Sequence, residues 1–348
     1  MKKKIALIVD ADDWAFANIA RNVSKNLTEY YDFKIIPTQY FEDNIIPALL
    51  LAKDCDLIHF FWRGKLLEFS FDFFQERLKL LLADKNDFID KFFNNKIITT
   101  AVYDHLYTNS EEEIALTNVM LENCNQYYVS SEKLFDIYSS PQYIKKPLCE
   151  ITDGVDLKDF YPKNLNRFND IKSRKIVIGW VGNSAWEIGK EDFKGVNTIL
   201  KPAVEELIQE GYPLEMFFAD KQERMIPHND MINYYSKIDL YICTSKIEGT
   251  PNPVLECMAC GVPIISTDVG IVSEVFGDLQ KKYILKERTK EALKQTIIEF
   301  INNLDEIKDI QQENAVQIQD KQWKIISKKI KDFFETAFKI YGVNLDEI

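Results

Sequence analysis

No stretch of this sequence approaches the ~20 consecutive apolar residues that a membrane-crossing helix requires. The opening MKKKIALIVDADD joins basic residues to an apolar run, but Ile5 to Val9 is too short for a signal-peptide core and reads as a first strand. Cysteine is sparse, six residues in 348, and with no secretory signal the thiols fit a reducing, cytoplasmic setting. Cys257 and Cys260 form a C-x-x-C, yet no second pair completes a zinc site and both fall on an apolar helix, so packing is their reading. Positive charge is short as well. The formal net charge is −12 and no basic stripe runs along the chain, which argues against a nucleic-acid partner. Local patches leave peripheral contact with the inner face of a membrane open. Internal repeats and low-complexity tracts are absent.

What is present is alternation. Strands are expected at Lys4–Val9, Phe33–Pro37, Leu57–Phe61, Lys96–Val102 and Gln126–Ser130, separated by helical stretches such as Trp14 to Leu27. That order predicts a parallel, doubly wound sheet over residues 1–155. After the turn-rich ITDGVDLKDFYP (Ile151 to Pro162), a second α/β unit follows over 172–319. Its strands are expected at Ile176–Val181, Leu214–Ala219, Leu240–Cys243 and Ile264–Thr267. In the last segment, 320–341, Trp323, Ile326, Ile330, Phe333, Phe334 and Phe338 recur on one helical face. Phe69 to Phe93 is helical in period and rich in Phe and Leu, which suits core or a greasy shelf for a lipid-linked acceptor.

The chemistry concentrates in SKIEGTPNPVLECMACGVPIISTDVGIVSE, Ser245 to Glu274. Glu248-Gly249-Thr250-Pro251-Asn252 is turn chemistry, and Pro253 suits the first turn of a helix that closes at Gly261. A strand–loop–helix of this kind aims backbone N–H groups and a positive helix end at a phosphate. Two prolines lack an N–H, so Asn252, Val254 and Leu255 are the expected amide donors. Glu248 and Glu256 stand eight residues apart and suit hydroxyls, which donate to carboxylates. Phosphate in the middle and polyol at the ends describes a nucleotide sugar. The plain alternative is a helix-dipole Glu beside a surface Glu.

This stretch resembles the E-x7-E region of the retaining GT-B glycosyltransferases of family four, glycosyl transferases group 1, which includes glycogen synthases and phosphatidylinositol mannosyltransferases. LECMACGVPIISTDVGIVSEV follows that family's run almost position by position, and ITDGVDLKDFYP resembles its inter-domain linker. The resemblance is strong over about 151–277 and thin elsewhere. It implies an α/β GT-B fold, two Rossmann-like domains facing across a cleft, with the last helix crossing back to the first domain. It also implies transfer of a sugar from a nucleotide-sugar donor, without metal or other cofactor, to a glycan, lipid-linked or protein acceptor in surface polysaccharide or glycoconjugate synthesis.

Residue by residue, the resemblance places the donor at Gly182, Asn183, Lys194, Arg224, Glu248, Gly249, Thr250, Asn252, Val254, Leu255 and Glu256. His105, Lys194 and Glu248 would carry the chemistry: His105 beside the donor sugar, Lys194 on the diphosphate, Glu248 on the sugar ring. Glu256 would accept from the ribose, and the segment from Asp220 to Tyr235 would wall the base. Two departures stand out. Asn183 occupies the position of a family Arg, so Lys190 or Arg224 would have to fill in, and Ile271 replaces a second glycine.

Other strand tips carry candidate residues as well. His59 has a weaker claim of the same kind as His105. Asp10-Ala11-Asp12 matches a D-x-D metal motif but ends the very first strand, which speaks against it. Asp12-Asp13 mimics a phosphorelay receiver, but the third strand ends in Phe60-Phe61-Trp62 with no acceptor aspartate. Within the resemblance, an epimerase or hydrolase on the same fold is one alternative. A non-catalytic nucleotide-sugar-binding partner of a glycan assembly is another.

Overall fold

The computed structural model describes residues 2–42, 44–70, 96–186, 189 and 191–342. Lys190, and the part of the Phe-rich segment beyond Ser70, lie outside the described residues. The chain divides into two compact units, Met1–Asp153 with Trp323–Ile348, and Gly154–Gln322.

In the first unit, five strands pair in parallel in the order β2-β1-β3-β4-β5: β1 Lys3–Val9, β2 Tyr31–Pro37, β3 Leu57–Phe60, β4 Ile97–Val102 and β5 Gln126–Val129. Apart from the outer strand β2 and the first residues of the others, they are buried on both faces, as parallel sheets are, which is why they read as unbroken apolar runs. The helix Trp323–Tyr341 lays Trp323, Ile326, Ile330, Phe333, Phe334 and Ala337 into a core with Ala17, Ala20, Val23 and Leu27 of the Ala15–Leu27 helix. Full burial of each large apolar side chain contributes roughly 1.5–3 kcal/mol, so this stripe fastens the helix to the first unit.

His59 belongs to that core, not to a ligand site. It is 1% exposed, its ring lies 5.6 Å from Tyr128 and Phe334 and 4.7 Å from Phe61, and Nδ1 bonds Thr99 Oγ1 at 2.9 Å. The strand's two-residue period decides this: His59 points to the face that the C-terminal helix covers. Burial lowers its pKa from 6.5 to about 3, so the folded protein holds it neutral. The unfolded chain takes up a proton as pH falls below 6.5, the folded chain only near 3, and folding stability is lost across that window. At pH 4.5 the loss from this residue is about 2–3 kcal/mol. Unfolding in urea at pH 7 and pH 4.5, with His59→Phe alongside, checks this: the variant should lose less stability on acidification.

In the second unit, four parallel strands run in the order β7-β6-β8-β9: β6 Ile176–Gly182, β7 Leu214–Asp220, β8 Leu240–Cys243 and β9 Ile264–Ser266. The chain goes from β6 outward to β7, then returns to the other side of β6 to form β8. The strand order therefore reverses between β6 and β8, and ligands of open α/β sheets bind outside the carboxyl ends at such a point.

Candidate functional site

Both loops that leave this reversal carry the predicted residues. The loop after β6 ends at Lys194-Gly195, just before the short helical segment Val196–Leu200. Asp192 shapes it: Oδ1 accepts from the Gly195 amide at 2.8 Å, and Oδ2 accepts from the Asn197 and Thr198 amides, each at 2.9 Å. Gly195 has φ +68, and a Cβ there would sit 2.6 Å from the Thr244 carbonyl oxygen. Only glycine combines that left-handed backbone with that close approach. The two loops are tied together. Thr244 Oγ1 donates to the Lys194 carbonyl at 2.8 Å, while Arg288 donates to the carbonyls of Thr244 at 2.8 Å and Asp192 at 2.6 Å.

This framework brings Lys194 Nζ to 2.5 Å from Glu248 Oε1, with the Trp186 ring 5.2 Å below the ammonium. Lys194 is 23% and Glu248 20% exposed at the side chain. Burial alone would lower the lysine pKa, but the Glu248 carboxylate outweighs it and holds the pKa above the ordinary value. The ammonium stays charged at any physiological pH.

Glu248 sits in a loop clamped from the other side. The Ile271 amide donates to the Gly249 carbonyl at 3.1 Å. Gly270, at φ +49, lies so close that a Cβ would fall 1.9 Å from the Gly249 oxygen. Ile271 itself has an ordinary φ of −82 and a fully buried side chain. The second glycine of the family pattern is thus unnecessary for this turn, and the replaced position supplies core.

The helix Asn252–Cys260 begins where the sequence places it and ends at Gly261 with φ +69. Of the three amides expected to be available, that of Val254 is already bonded to the Pro251 carbonyl at 2.8 Å, because the turn closes one residue earlier than helix numbering alone suggests. The side chains of Val254 and Leu255 are wholly buried. Thr250 is buried, and Asn252 is half-buried at the helix start. Four residues into the helix, Glu256 Oε2 accepts from Tyr235 Oη at 2.5 Å, and Oε1 lies 3.6 Å from His228 Nε2. Tyr235 is fully buried, and burial followed by the Glu256 charge raises its pKa far above the ordinary value, so it remains a donor.

Asn183 follows β6, where its Oδ1 accepts from Gln222 Nε2 at 2.8 Å and the Ala185 amide at 3.1 Å. The Gly182 carbonyl accepts from the Lys221 amide at 2.9 Å. Arg224 lies exposed with its guanidinium 4.7 Å over the Phe217 ring. Asp192 and Arg288 are missing from the sequence expectations, whereas Tyr235 and His228 fall within the segment expected to wall the base and contact Glu256 instead. The D-x-x-G spacing before the helix could have found Asp192; Arg288 comes from 94 residues beyond Lys194 and leaves no local signal.

In the first unit, His105 is half-buried in the loop after β4. That loop is pinned by Arg63, 2% exposed, which grips Asp104 with bonds of 3.0 and 2.6 Å and the Leu106 carbonyl at 3.0 Å. After β1, Asp10 accepts from the Ala11 amide at 2.8 Å, and Asp12 Oδ2 accepts from Tyr40 Oη at 3.2 Å. Among the described residues no group of three or more His, Cys, Asp or Glu could hold a metal ion.

Residues 223–332 match the family described as Glycosyl transferases group 1. This stretch is group 1 glycosyltransferase sequence, carried on a GT-B fold. The group 1 segment takes in Arg224, Glu248 and Glu256, whereas Lys194 precedes it. A 75-residue stretch, 22% of this chain, is 36% identical to the putative teichuronic acid biosynthesis glycosyltransferase TuaC of Bacillus subtilis and covers 19% of that protein. The stretches shared with curated relatives span less than half of each relative's length. Over 97% of this chain and 100% of its own, the sucrose-phosphate synthase of Thermosynechococcus elongatus superposes with TM-score 0.68 at 15% identity. HepE of Anabaena, solved with UDP-glucose, superposes with TM-score 0.67 at 12% identity over 96% of this chain and 99% of its own. No helix among the described residues is long and apolar enough to cross a membrane.

Proposed function

We propose that this protein transfers a sugar from a nucleotide-sugar donor to a saccharide, lipid-linked or protein acceptor, in building a surface polysaccharide or glycoconjugate. The observation that carries this reading is the Lys194–Glu248 pair, 2.5 Å apart at the sheet's reversal point beside the start of the Asn252–Cys260 helix. A diphosphate arriving there competes with Glu248 for the ammonium. As Lys194 turns to the phosphate, Glu248 is released to accept hydroxyls of the sugar, so one exchange loads both ends of the donor. Glu256, already oriented by Tyr235, accepts from the ribose.

As the sugar–phosphate bond breaks, positive charge grows on the sugar and negative charge on the leaving phosphate. Lys194 and the positive end of the helix stabilise the latter. That supply of charge makes the step metal-independent, and the acceptor approaches the face that the diphosphate leaves, with retention. Chelation by EDTA should therefore leave the rate unchanged.

One observation favours a second reading, a non-catalytic nucleotide-sugar binder. Asn183 is neutral where the family usually carries an Arg, and its oxygen is engaged by Gln222 and Ala185. Donor consumption with and without an acceptor panel separates the readings. Acceptor-dependent consumption supports transfer; acceptor-independent turnover means a hydrolase or epimerase; binding without turnover means the binder. Tyr235→Phe tests the ribose contact: donor KM should rise about tenfold at near-constant kcat, the loss of one hydrogen bond to a charged group.

A further inference from the structure

Lys194 has a second neighbour to which the donor chemistry gives no task. The half-buried Trp186 ring lies 5.2 Å from the ammonium that Glu248 holds at 2.5 Å. The ring is built into the loop after β6. The Trp186 amide donates to the Asn183 carbonyl at 3.1 Å and closes a turn. Inside that turn Asn183 Oδ1 accepts from the Ala185 amide at 3.1 Å, and the wholly buried Asp220 accepts from the Ser184 amide at 3.2 Å. The ring also meets Phe193 edge to face, with centroids 5.6 Å apart. The Phe193 carbonyl in turn accepts from the Lys246 amide at 2.7 Å.

A ring and a carboxylate hold a cation differently. The carboxylate takes one of the ammonium's three N–H donors and cancels its charge. The negative face of a ring attracts the cation yet leaves its donors and its net charge to an anion. An arriving diphosphate therefore displaces Glu248 and leaves the ring contact standing. This loop begins where the family usually carries an Arg, and Asn183 brings no charge. One flexible lysine then serves the diphosphate, and binding is tighter the less ordering that lysine still has to undergo.

We infer that Trp186 is a positioning residue: its ring keeps the Lys194 ammonium in place while Glu248 gives way to the donor diphosphate. This rests on the proposed transfer reaction. Calorimetric titration of the full chain with UDP-glucose, GDP-mannose, ADP-glucose and dTDP-glucose tests it, on the wild type, Trp186→Leu and Trp186→Phe. Inorganic pyrophosphate is then titrated as a competitor of the donor that binds, and circular dichroism checks each fold. Trp186→Leu, apolar and without a ring, should raise Kd about tenfold, the scale of a partly desolvated cation–π contact, whereas Trp186→Phe should restore most of the affinity. Pyrophosphate, which has neither base nor sugar, should weaken by the same factor as the donor. Unchanged binding in Trp186→Leu, or leucine serving as well as phenylalanine, would overturn the inference. So would a loss confined to the nucleotide sugar, since the ring would then touch base or sugar directly, or a pyrophosphate that does not compete. If one donor binds and the variants depart from this pattern, only the inference falls; if none of the four binds the wild type, the donor reading falls and takes the inference with it.

Discussion

Lys194→Ala is expected to lower kcat/KM for glycosyl transfer by about 10³, the effect of removing one preorganised charge from a developing anion. Among the described residues, Lys194 is the cation that the structure places against Glu248 in the loop before the Asn252–Cys260 helix. Arg224 is spread over Phe217, and Arg288 spends its donors on backbone carbonyls, so neither replaces it without rebuilding a loop. A stability cost is expected as well, because the pair is about four-fifths buried and removing the ammonium leaves the Glu248 charge without its counter-ion. Steady-state rates with melting curves on the same samples separate the two effects. A tenfold or smaller loss would remove Lys194 from the centre of the reaction.

Gly270→Ala carries the second large effect. The added Cβ falls 1.9 Å from the Gly249 oxygen and 2.7 Å from its carbon, at a φ of +49. Backbone has to move, and what moves is the loop that carries Glu248. We expect a stability loss of about 2–4 kcal/mol and donor binding weakened beyond tenfold. Gly211→Ala is the control: φ is +95 with no atom within 4 Å, so it reports left-handed strain alone and should cost about 1 kcal/mol. Equal losses in both variants would mean that strain, not the close approach of the two loops, makes glycine necessary at 270.

Much of this was legible because parallel strands and helix ends announce themselves locally. Leu240–Cys243 is all apolar and becomes β8 with the predicted bounds. Pro253 and Gly261 bracket a helix through backbone rules that need no tertiary context. Periodicity likewise marked the face of the last helix that joins the first core. What escaped is what depends on distance in sequence. His59 reads as a strand-tip histidine until the C-terminal helix covers its face. The partner of Glu256 is Tyr235, on a helix twenty-one residues earlier. Val254's amide looked available because a loop turn is invisible to helix counting.

The most direct measurement is a thermal-shift screen of the wild-type protein and Lys194→Ala against UDP-, GDP-, ADP-, CMP- and dTDP-sugars. At a hundred times its Kd, a ligand stabilises by about 2.7 kcal/mol. One base should raise the wild-type melting temperature by several degrees, and the variant should lose most of that rise. If no nucleotide sugar moves the transition, or the variant responds as fully as the wild type, the diphosphate does not lie against this ammonium.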